Sequence, residues 1–391
     1  MAPRVSVVIP TFQRRDLVLQ AVQSVLRQTY RSFEVVVVDD GSTDGTMEAL
    51  SALGDPVRCL WQENRGVASA RNAGIAVARS SIVAFLDSDD LWLRDHLETV
   101  IGALEQLPEA VLACTSPHLG RRRGARSGEP RLVDPLPRQL FAPWTWNPTT
   151  VAVRTEILRE IGGLDERLPT NEDADLCLRV ALRGPFAVVP RRTVRIRATA
   201  GSLWHRSRSS GAFLEADEQI TRKFIAEVER SGTPRPEVVE AARGRLSLNR
   251  AFRGLASHDD DVVREALADA CRAIPELSGE PETVVRRLTV HVPEAGDPRE
   301  LARAYATAAR LWPEPDADTA LVLRCCAVLG ALRVGTLSEA AVLLRGLWVG
   351  KTAGLAVRRR ALFARVAHDR LRRVLLRGRE SPALFRRAED P

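Results

Sequence analysis

Short apolar runs alternate along the chain with stretches in which apolar residues recur every three or four positions. Residues 5–10, 33–38, 57–61 and 82–86 are largely apolar and bounded by turn formers, which predicts buried strands of a parallel sheet. Between the first two, Val18, Ala21, Val22, Val25 and Leu26 follow Asp16 at helical spacing. Helices are also expected over 46–53 and 66–78. Strand and helix alternating at this interval predict a doubly wound α/β sheet with right-handed crossovers.

The pattern continues with a helix over 94–107, a strand over 149–153 and a helix over 155–161. Gly162-Gly163 closes that last helix as an αL cap. Residues 120–138 set Arg121, Arg122, Arg123, Arg126, Arg131 and Arg138 among Gly and Pro without an apolar period, so a loop is expected. From about residue 215 the periodicity is helical, over 224–228, 238–248, 262–273, 301–311 and 321–332, with prolines between. The expected organisation is an α/β domain over 1–214, a helical domain over 215–334 and a basic amphipathic tail over 335–391. The helical part carries no paired acids and no metal-ligand spacing, and no chemistry is assigned to it.

Composition narrows the partners. The 391 residues are 45% hydrophobic and 27% charged, as in an ordinary globular protein with a substantial core. The formal charge of +7, almost entirely arginine, suits an anionic substrate, an anionic membrane surface or nucleic acid. Nucleic acid is disfavoured, because single-strand binding wants aromatics interleaved with the basic residues and the chain has two tyrosines. Six cysteines without a CxxC spacing point to buried thiols in a reducing compartment. Residues 1–4 enter the first strand without signal-peptide anatomy, and no stretch of about 18 apolar residues occurs. A cytoplasmic protein is expected.

The run over 82–86 delivers Asp87, Asp89 and Asp90 to one point at the carboxyl end of its strand, where open parallel sheets bind ligands. Clustered carboxylates raise one another's pKa unless a cation is present, and Mg²⁺ or Mn²⁺ would suit them. Capping of the following helix is the other reading. Asp40 closes the second strand on the same edge, where an acid typically accepts from a ribose or base. Arg71 opens a helical face within reach of a diphosphate, or is a surface arginine. Neither GxGxxG nor GxxxxGK[ST] occurs near these strands, which argues against a dehydrogenase or P-loop enzyme.

Four blocks in order resemble glycosyltransferase family 2. They are Val5-Ser6-Val7-Val8-Ile9-Pro10-Thr11-Phe12, Val38-Asp39-Asp40-Gly41-Ser42-Thr43-Asp44-Gly45-Thr46, Glu63-Asn64-Arg65-Gly66-Val67-Ala68-Ser69-Ala70-Arg71-Asn72-Ala73-Gly74 and Phe85-Leu86-Asp87-Ser88-Asp89-Asp90. The resemblance covers roughly residues 5–213 and implies a GT-A fold, here followed by an α-helical C-terminal domain. It implies an inverting, hexosyltransferase-like transfer from a UDP-, GDP- or dTDP-sugar. Pro10, Thr11, Phe12, Asp39, Asp40 and Arg71 would then contact the nucleoside diphosphate. Asp87-Ser88-Asp89 would be the DxD element, with Asp89 as direct ligand to Mg²⁺ or Mn²⁺.

The Glu172-Asp173 pair resembles the family's acceptor side, which makes Asp173 the catalytic base. Inversion needs such a carboxylate to take the acceptor's proton. Trp146 is a candidate to stack on a sugar. The stretch 195–208 holds Arg197, Trp204, His205, Arg206 and Arg208, and the resemblance implies that a residue there reaches the phosphates or the metal. His205 is the candidate ligand, or else a structural histidine. The implied product is a cell-envelope polysaccharide or glycoconjugate, built on a carbohydrate, lipid-linked or small-molecule acceptor. Residues 351–380 hold ten Lys or Arg against two acids, with apolar residues between, which reads as peripheral binding to an anionic membrane or as a packed basic helix. A nucleotide-sugar-binding scaffold without turnover is the rival function. Retention of Asp40, Arg71, Asp89 and Asp173 together speaks against it, because a binder needs no base.

Overall fold

The computed structural model describes residues 3–115, 128–136, 147–197, 212–231 and 235–273, with Thr307 and Leu311. The chain divides into two compact units, Met1–Ala242 and Arg243–Pro391. The first unit is built on strands β1 (Val5–Thr11), β2 (Phe33–Asp39), β3 (Val57–Trp61) and β4 (Ile82–Phe85). After them come β5 (Leu91–Trp92), β6 (Leu112–Thr115), β7 (Arg131–Val133), β8 (Val151–Arg154), β9 (Phe186–Val189) and β10 (Val194–Arg195). Eight of these form one sheet in the order β3-β2-β1-β4-β8-β6-β9-β7, and β5 pairs with β10 in a separate ribbon. Strands β3, β2, β1 and β4 are parallel, β8 runs antiparallel to both neighbours, and β9 is parallel to β6.

The parallel strands are apolar on both faces because both are covered. Val5, Val7, Ile9, Val35 and Val37 face a core shared with α1 (Arg15–Leu26) and with a helix, His96–Gln106, that follows α2 (Thr46–Ser51) and α3 (Val67–Val77) and is therefore α4. Val36 and Val38 on the other face meet Ala70 of α3. Every valine from Val35 to Val38 is fully buried, each contributing roughly 1.5–3 kcal/mol over an exposed one. Helix α3 lies so close to β1 that a Cβ on Gly74 would sit 2.4 Å from Val8 Cγ1.

Helix α5 (Thr155–Glu160) ends on Gly162 and Gly163 at φ +74° and +70°, the expected left-handed cap. Helix α6 (Glu172–Ala181) and helix α7 (Ala212–Arg230) complete the described part of the first unit up to α8 (Pro236–Ser257). In the second unit, α9 (Asp260–Ala273) is capped by Asp259, whose Oδ1 accepts from Val262 N–H at 3.0 Å. The α/β sheet and the helical segment over 212–273 agree with the expected fold class.

Local pattern misplaced some elements. Residues 131–133, expected within a loop, form an edge strand antiparallel to β9. An edge strand is made by backbone pairing and needs no apolar period; Arg131 and Leu132 are exposed. The strand expected over 149–153 begins at Val151, because Asn147 Oδ1 accepts from Thr149 N–H and turns Pro148–Thr150 into a 3₁₀ turn. Strands β6 and β9, at four residues each, went unrecognised, and α7 starts twelve residues before the expected 224. Trp146, His205, most of 120–138 and 301–332, and the tail from 335 lie outside the described residues.

Gly74→Ala is expected to destabilise the protein by about 1–3 kcal/mol through overpacking of the α3–β1 contact. Urea denaturation monitored by circular dichroism measures this. An unchanged midpoint would mean that the two elements separate freely.

Candidate active site

The carboxyl edge of the parallel strands gathers the polar groups. Register places Thr11 beside Asp39, and Asp40 N–H donates to the Thr11 carbonyl at 2.9 Å. Asp39 Oδ1 accepts from Ser42 N–H at 3.0 Å. Thr11 Oγ1 and Asp39 Oδ2 are buried and find no hydrogen-bond partner among the described residues. Such orphaned atoms each cost about 1–3 kcal/mol unless water or a ligand meets them. Pro10 and Ser88 are buried on the same edge, while Phe12 is 45% exposed there.

Asp40 points to the other face and is fully engaged. Its Oδ1 accepts from Gln62 Nε2 at 2.7 Å and Arg65 N–H at 3.0 Å, and its Oδ2 from Gly66 N–H at 2.8 Å. It therefore anchors the amino-terminal entry of α3, where a negative charge is favoured by the helix dipole.

The acidic loop after β4 is held by residues from four other segments. Asp87 pairs with Arg71 at 2.7 Å and Asp89 with Arg14 at 2.7 Å. Asp90 is buried; it accepts from Thr149 Oγ1 at 2.8 Å and from Arg197 N–H at 3.0 Å. Arg197 also donates its side-chain Nε to the Asp89 carbonyl and its Nη1 to Gln20 Oε1. Burial first, and then the negative charge of Asp87, pushes the Asp90 carboxyl up to about 7. The loop is not a cap for α4, which begins at His96 beyond β5 with Asp95 at its N-cap.

Arg71 links this loop to Glu172, beside Asp173. It is 4% exposed, and its two terminal nitrogens reach Asp87 Oδ1 and Glu172 Oε1, each at 2.7 Å. Burial alone would lower its pKa, but the two carboxylates outweigh burial and raise it. Arg71 Nε is buried without a partner among the described residues. Beside Glu172, half-buried Asp173 donates nothing and accepts only from Ala174 N–H at 2.8 Å among its described bonds. Burial, followed by the charge of Glu172, pushes its carboxyl up to about 7, with Arg71 pulling the other way.

Helix α6 is itself clamped. Arg179 pairs with Asp175 and donates to the carbonyls of Ile161 at 2.8 Å and Gly163 at 2.7 Å. Lys223 of α7 reaches Asp175 at 2.9 Å and Asp165 at 2.8 Å. Gly163 meets Asn72, which exchanges hydrogen bonds with Leu164 and also donates to Glu166 at 2.9 Å; a Cβ there would lie 2.4 Å from Asn72 Oδ1.

The edge thus assembles Pro10, Thr11, Phe12, Asp39, Ser88 and the Asp87–Asp89 loop, with Arg71 between that loop and the Glu172-Asp173 pair. Asp40 serves the scaffold of the same edge. Arg14 and Thr149 were missed by sequence reasoning. Arg14 follows β1 on the carboxyl edge, so its place in the pattern was a usable signal; Thr149 had none, since only the sheet order brings it near Asp90. Among the described residues no three His, Cys, Asp or Glu side chains form a ready-made metal cage. A hard ion that takes one or two carboxylates and completes its shell with substrate phosphates and water fits the oxygen donors of Asp87 and Asp89.

Residues 6–155 match the family model described as Glycosyl transferase family 2. An uncharacterized glycosyltransferase of Rickettsia conorii, RC0461, is 28% identical over 212 residues, covering 51% of this chain and 33% of its own. The putative teichuronic acid biosynthesis glycosyltransferase TuaG of Bacillus subtilis is 42% identical over 100 residues, 25% of this chain and 40% of its own. The chain spans only 15–54% of the length of the first curated relatives it matches. The crystal structure of S. aureus TarS 1-349 superposes with a TM-score of 0.52 at 18% identity, covering 85% of this chain and 92% of that one. The same fragment in complex with UDP superposes at 0.50 and 19% identity, with the same coverage. At such identity the likeness is of fold, and the mostly parallel sheet has the GT-A arrangement.

The raised carboxyl of Asp90 carries a stability signature. Its folded pKa lies above the ordinary Asp value of about 3.9, so the folded state holds the proton more tightly. Stability from this group is full below about 3.9 and is lost as pH rises through about 7. Denaturation midpoints of metal-free protein at pH 5.5 and 7.5 should therefore differ more for wild type than for Asp90→Asn. Equal differences in the two proteins would contradict this account of Asp90.

Proposed function

We propose that this chain is a family 2 glycosyltransferase, moving a sugar from a nucleoside-diphosphate donor to an acceptor hydroxyl with inversion at the anomeric carbon. The observation that carries the reading is the Arg71 bridge from Asp87 to Glu172, which holds a half-buried, raised-pKa carboxylate, Asp173, next to the carboxyl edge of the sheet. The family match over residues 6–155 supports it.

In this reading the nucleoside lies along the edge. The orphaned Thr11 Oγ1 and Asp39 Oδ2 offer it a donor and an acceptor, and exposed Phe12 offers a ring face. Pro10 shapes the end of β1 beneath it. Asp89, with Asp87 and Ser88 beside it, would hold Mg²⁺ or Mn²⁺, which when bound offsets charge on the departing diphosphate. Asp173 takes the proton of the acceptor hydroxyl while that oxygen bonds to the anomeric carbon. The bond from that carbon to the diphosphate oxygen breaks on the opposite side, and the nucleoside diphosphate leaves with the electron pair. A carboxyl tuned near 7 suits the task, since it is ionised at working pH yet basic enough to hold a proton. Arg71 keeps Glu172 and Asp87 from repelling one another across the site.

The similarity to TuaG, a putative teichuronic acid biosynthesis glycosyltransferase, supports a cell-envelope polysaccharide or related glycoconjugate as the product class, and the UDP complex of TarS supports a UDP-sugar among the candidate donors. The ten basic residues over 351–380 support work at the inner face of a membrane on a lipid-linked acceptor. No helix among the described residues is long and apolar enough to cross one.

The deciding experiment is donor hydrolysis and transfer with a panel of UDP-, GDP- and dTDP-sugars, with and without Mn²⁺. Asp173→Asn should lower kcat by about 10²- to 10⁴-fold while UDP affinity, read by calorimetry, stays constant. An equal loss of UDP binding would make Asp173 structural or a donor contact. Because the base acts when deprotonated, kcat/KM of wild type should rise with pH through about 7 and then level off. A flat profile from pH 5.5 to 8 would remove Asp173 as base. Chelator should abolish turnover, and UDP binding without turnover on any donor would leave only the scaffold.

A further inference from the structure

Resting on the metal-dependent reading above, we propose that Arg14 holds the cation's place on Asp89 in the donor-free protein. A divalent ion then binds well only when a diphosphate draws the guanidinium away. Arg14 Nη1 donates to Asp89 Oδ2 at 2.7 Å, although the two residues lie 75 positions apart. The side chains are 30% and 14% exposed, so water screens the pair only in part. That oxygen is one a hard cation would use, and a cation arriving there meets both a competitor and a like charge.

The arrangement is built by the backbone. Gln13 has φ +51°, in the left-handed region that residues other than glycine seldom adopt. Hydrogen bonds between the β1–α1 loop and residues 42–44 hold it there. Gln13 N–H donates to Ser42 Oγ at 2.8 Å, Gln13 Nε2 to Thr43 Oγ1 at 2.9 Å, and Arg15 N–H to Asp44 Oδ2 at 3.1 Å. The Arg14 carbonyl meanwhile opens the α1 ladder, accepting from Val18 N–H at 2.9 Å. Strained backbone persists where its surroundings over-determine it, and here it turns Arg14 toward the acidic loop. On the other side Arg197 fixes the Asp89 carbonyl. Both backbones are pinned, and what is left to move is the long Arg14 side chain.

Arg71 does not fit this part. It is buried and bound to two carboxylates, whereas Arg14 is partly exposed and makes one ion pair among the described residues, so Arg14 is the cheaper to displace. A diphosphate lying along the edge offers the guanidinium a bidentate anionic partner in exchange for Asp89. Metal and diphosphate should therefore bind with positive coupling, each raising the other's affinity by the same factor.

The test uses the full chain and Mn²⁺ as the probe, with free Mn²⁺ read by electron paramagnetic resonance in the presence and absence of UDP. Wild type should bind Mn²⁺ weakly alone. Arg14→Gln should bind Mn²⁺ alone about tenfold more tightly than wild type, and the gain from adding UDP should shrink by a similar factor. Arg14→Lys, which keeps the charge without the planar fork, should fall between them. Unchanged or weaker Mn²⁺ binding by Arg14→Gln overturns the proposal while leaving the metal reading intact. Wild-type Mn²⁺ affinity that is indifferent to UDP overturns it without recourse to any variant. Failure to bind Mn²⁺ in every arm removes the metal reading and this proposal together.

Discussion

A single buried guanidinium sets the terms for the site. Arg71 lies on α3 at 4% exposure, and a charge so buried is tolerable only with well-placed opposite charges. Its partners come from segments far apart in the chain, Asp87 at the end of β4 and Glu172 at the start of α6. Both must converge on it at once. Leaving either unpaired exposes the other charges to a penalty of about 3–5 kcal/mol, so the acidic loop after β4 and the start of α6 are energetically one object. The clamp of Lys223 and Arg179 on Asp175 holds α6 to that position from behind.

The sheet supplies the second constraint. Parallel pairing puts the carboxyl ends of β1, β2 and β4 on one edge, with Thr11 level with Asp39 and Leu86 N–H donating to the Val8 carbonyl. Alternation along β2 sends Asp39 and Asp40 to opposite faces, which separates two acids adjacent in sequence into different jobs. Asp40 stabilises the entry to α3, while Asp39 keeps one oxygen unmet at the edge. The acidic loop shows the same division of labour. Asp87 and Asp89 face cationic side chains, whereas Asp90 is buried against Thr149 and Arg197 and shapes the loop.

Much of this was legible in sequence wherever the signal was local. Largely apolar runs marked β1 to β4, as expected where a parallel sheet is covered on its faces, and helical spacing marked α1, whose Val18, Ala21, Val22 and Val25 are indeed buried. Gly162-Gly163 announced the end of α5 because only the left-handed cap needs two such residues there. The Asp87–Asp90 and Glu172-Asp173 clusters could each have been helix caps on local grounds. Tertiary structure decides against that for the first, since α4 starts at His96, and gives Glu172 to Arg71.

The sequence by itself determined the α/β alternation, the strands that reach the site edge and the acids that leave them, because these follow from periods of two and 3.6 residues and from turn chemistry. Tertiary structure alone decided the edge strand β7, the mixed order β4-β8-β6-β9, and which charge meets which. Pairs such as Arg14 with Asp89 or Arg71 with Glu172 join residues 75 and 101 positions apart. No local period records such distances. They are set by strand order and by the low tolerance of a packed interior for an unpaired charge.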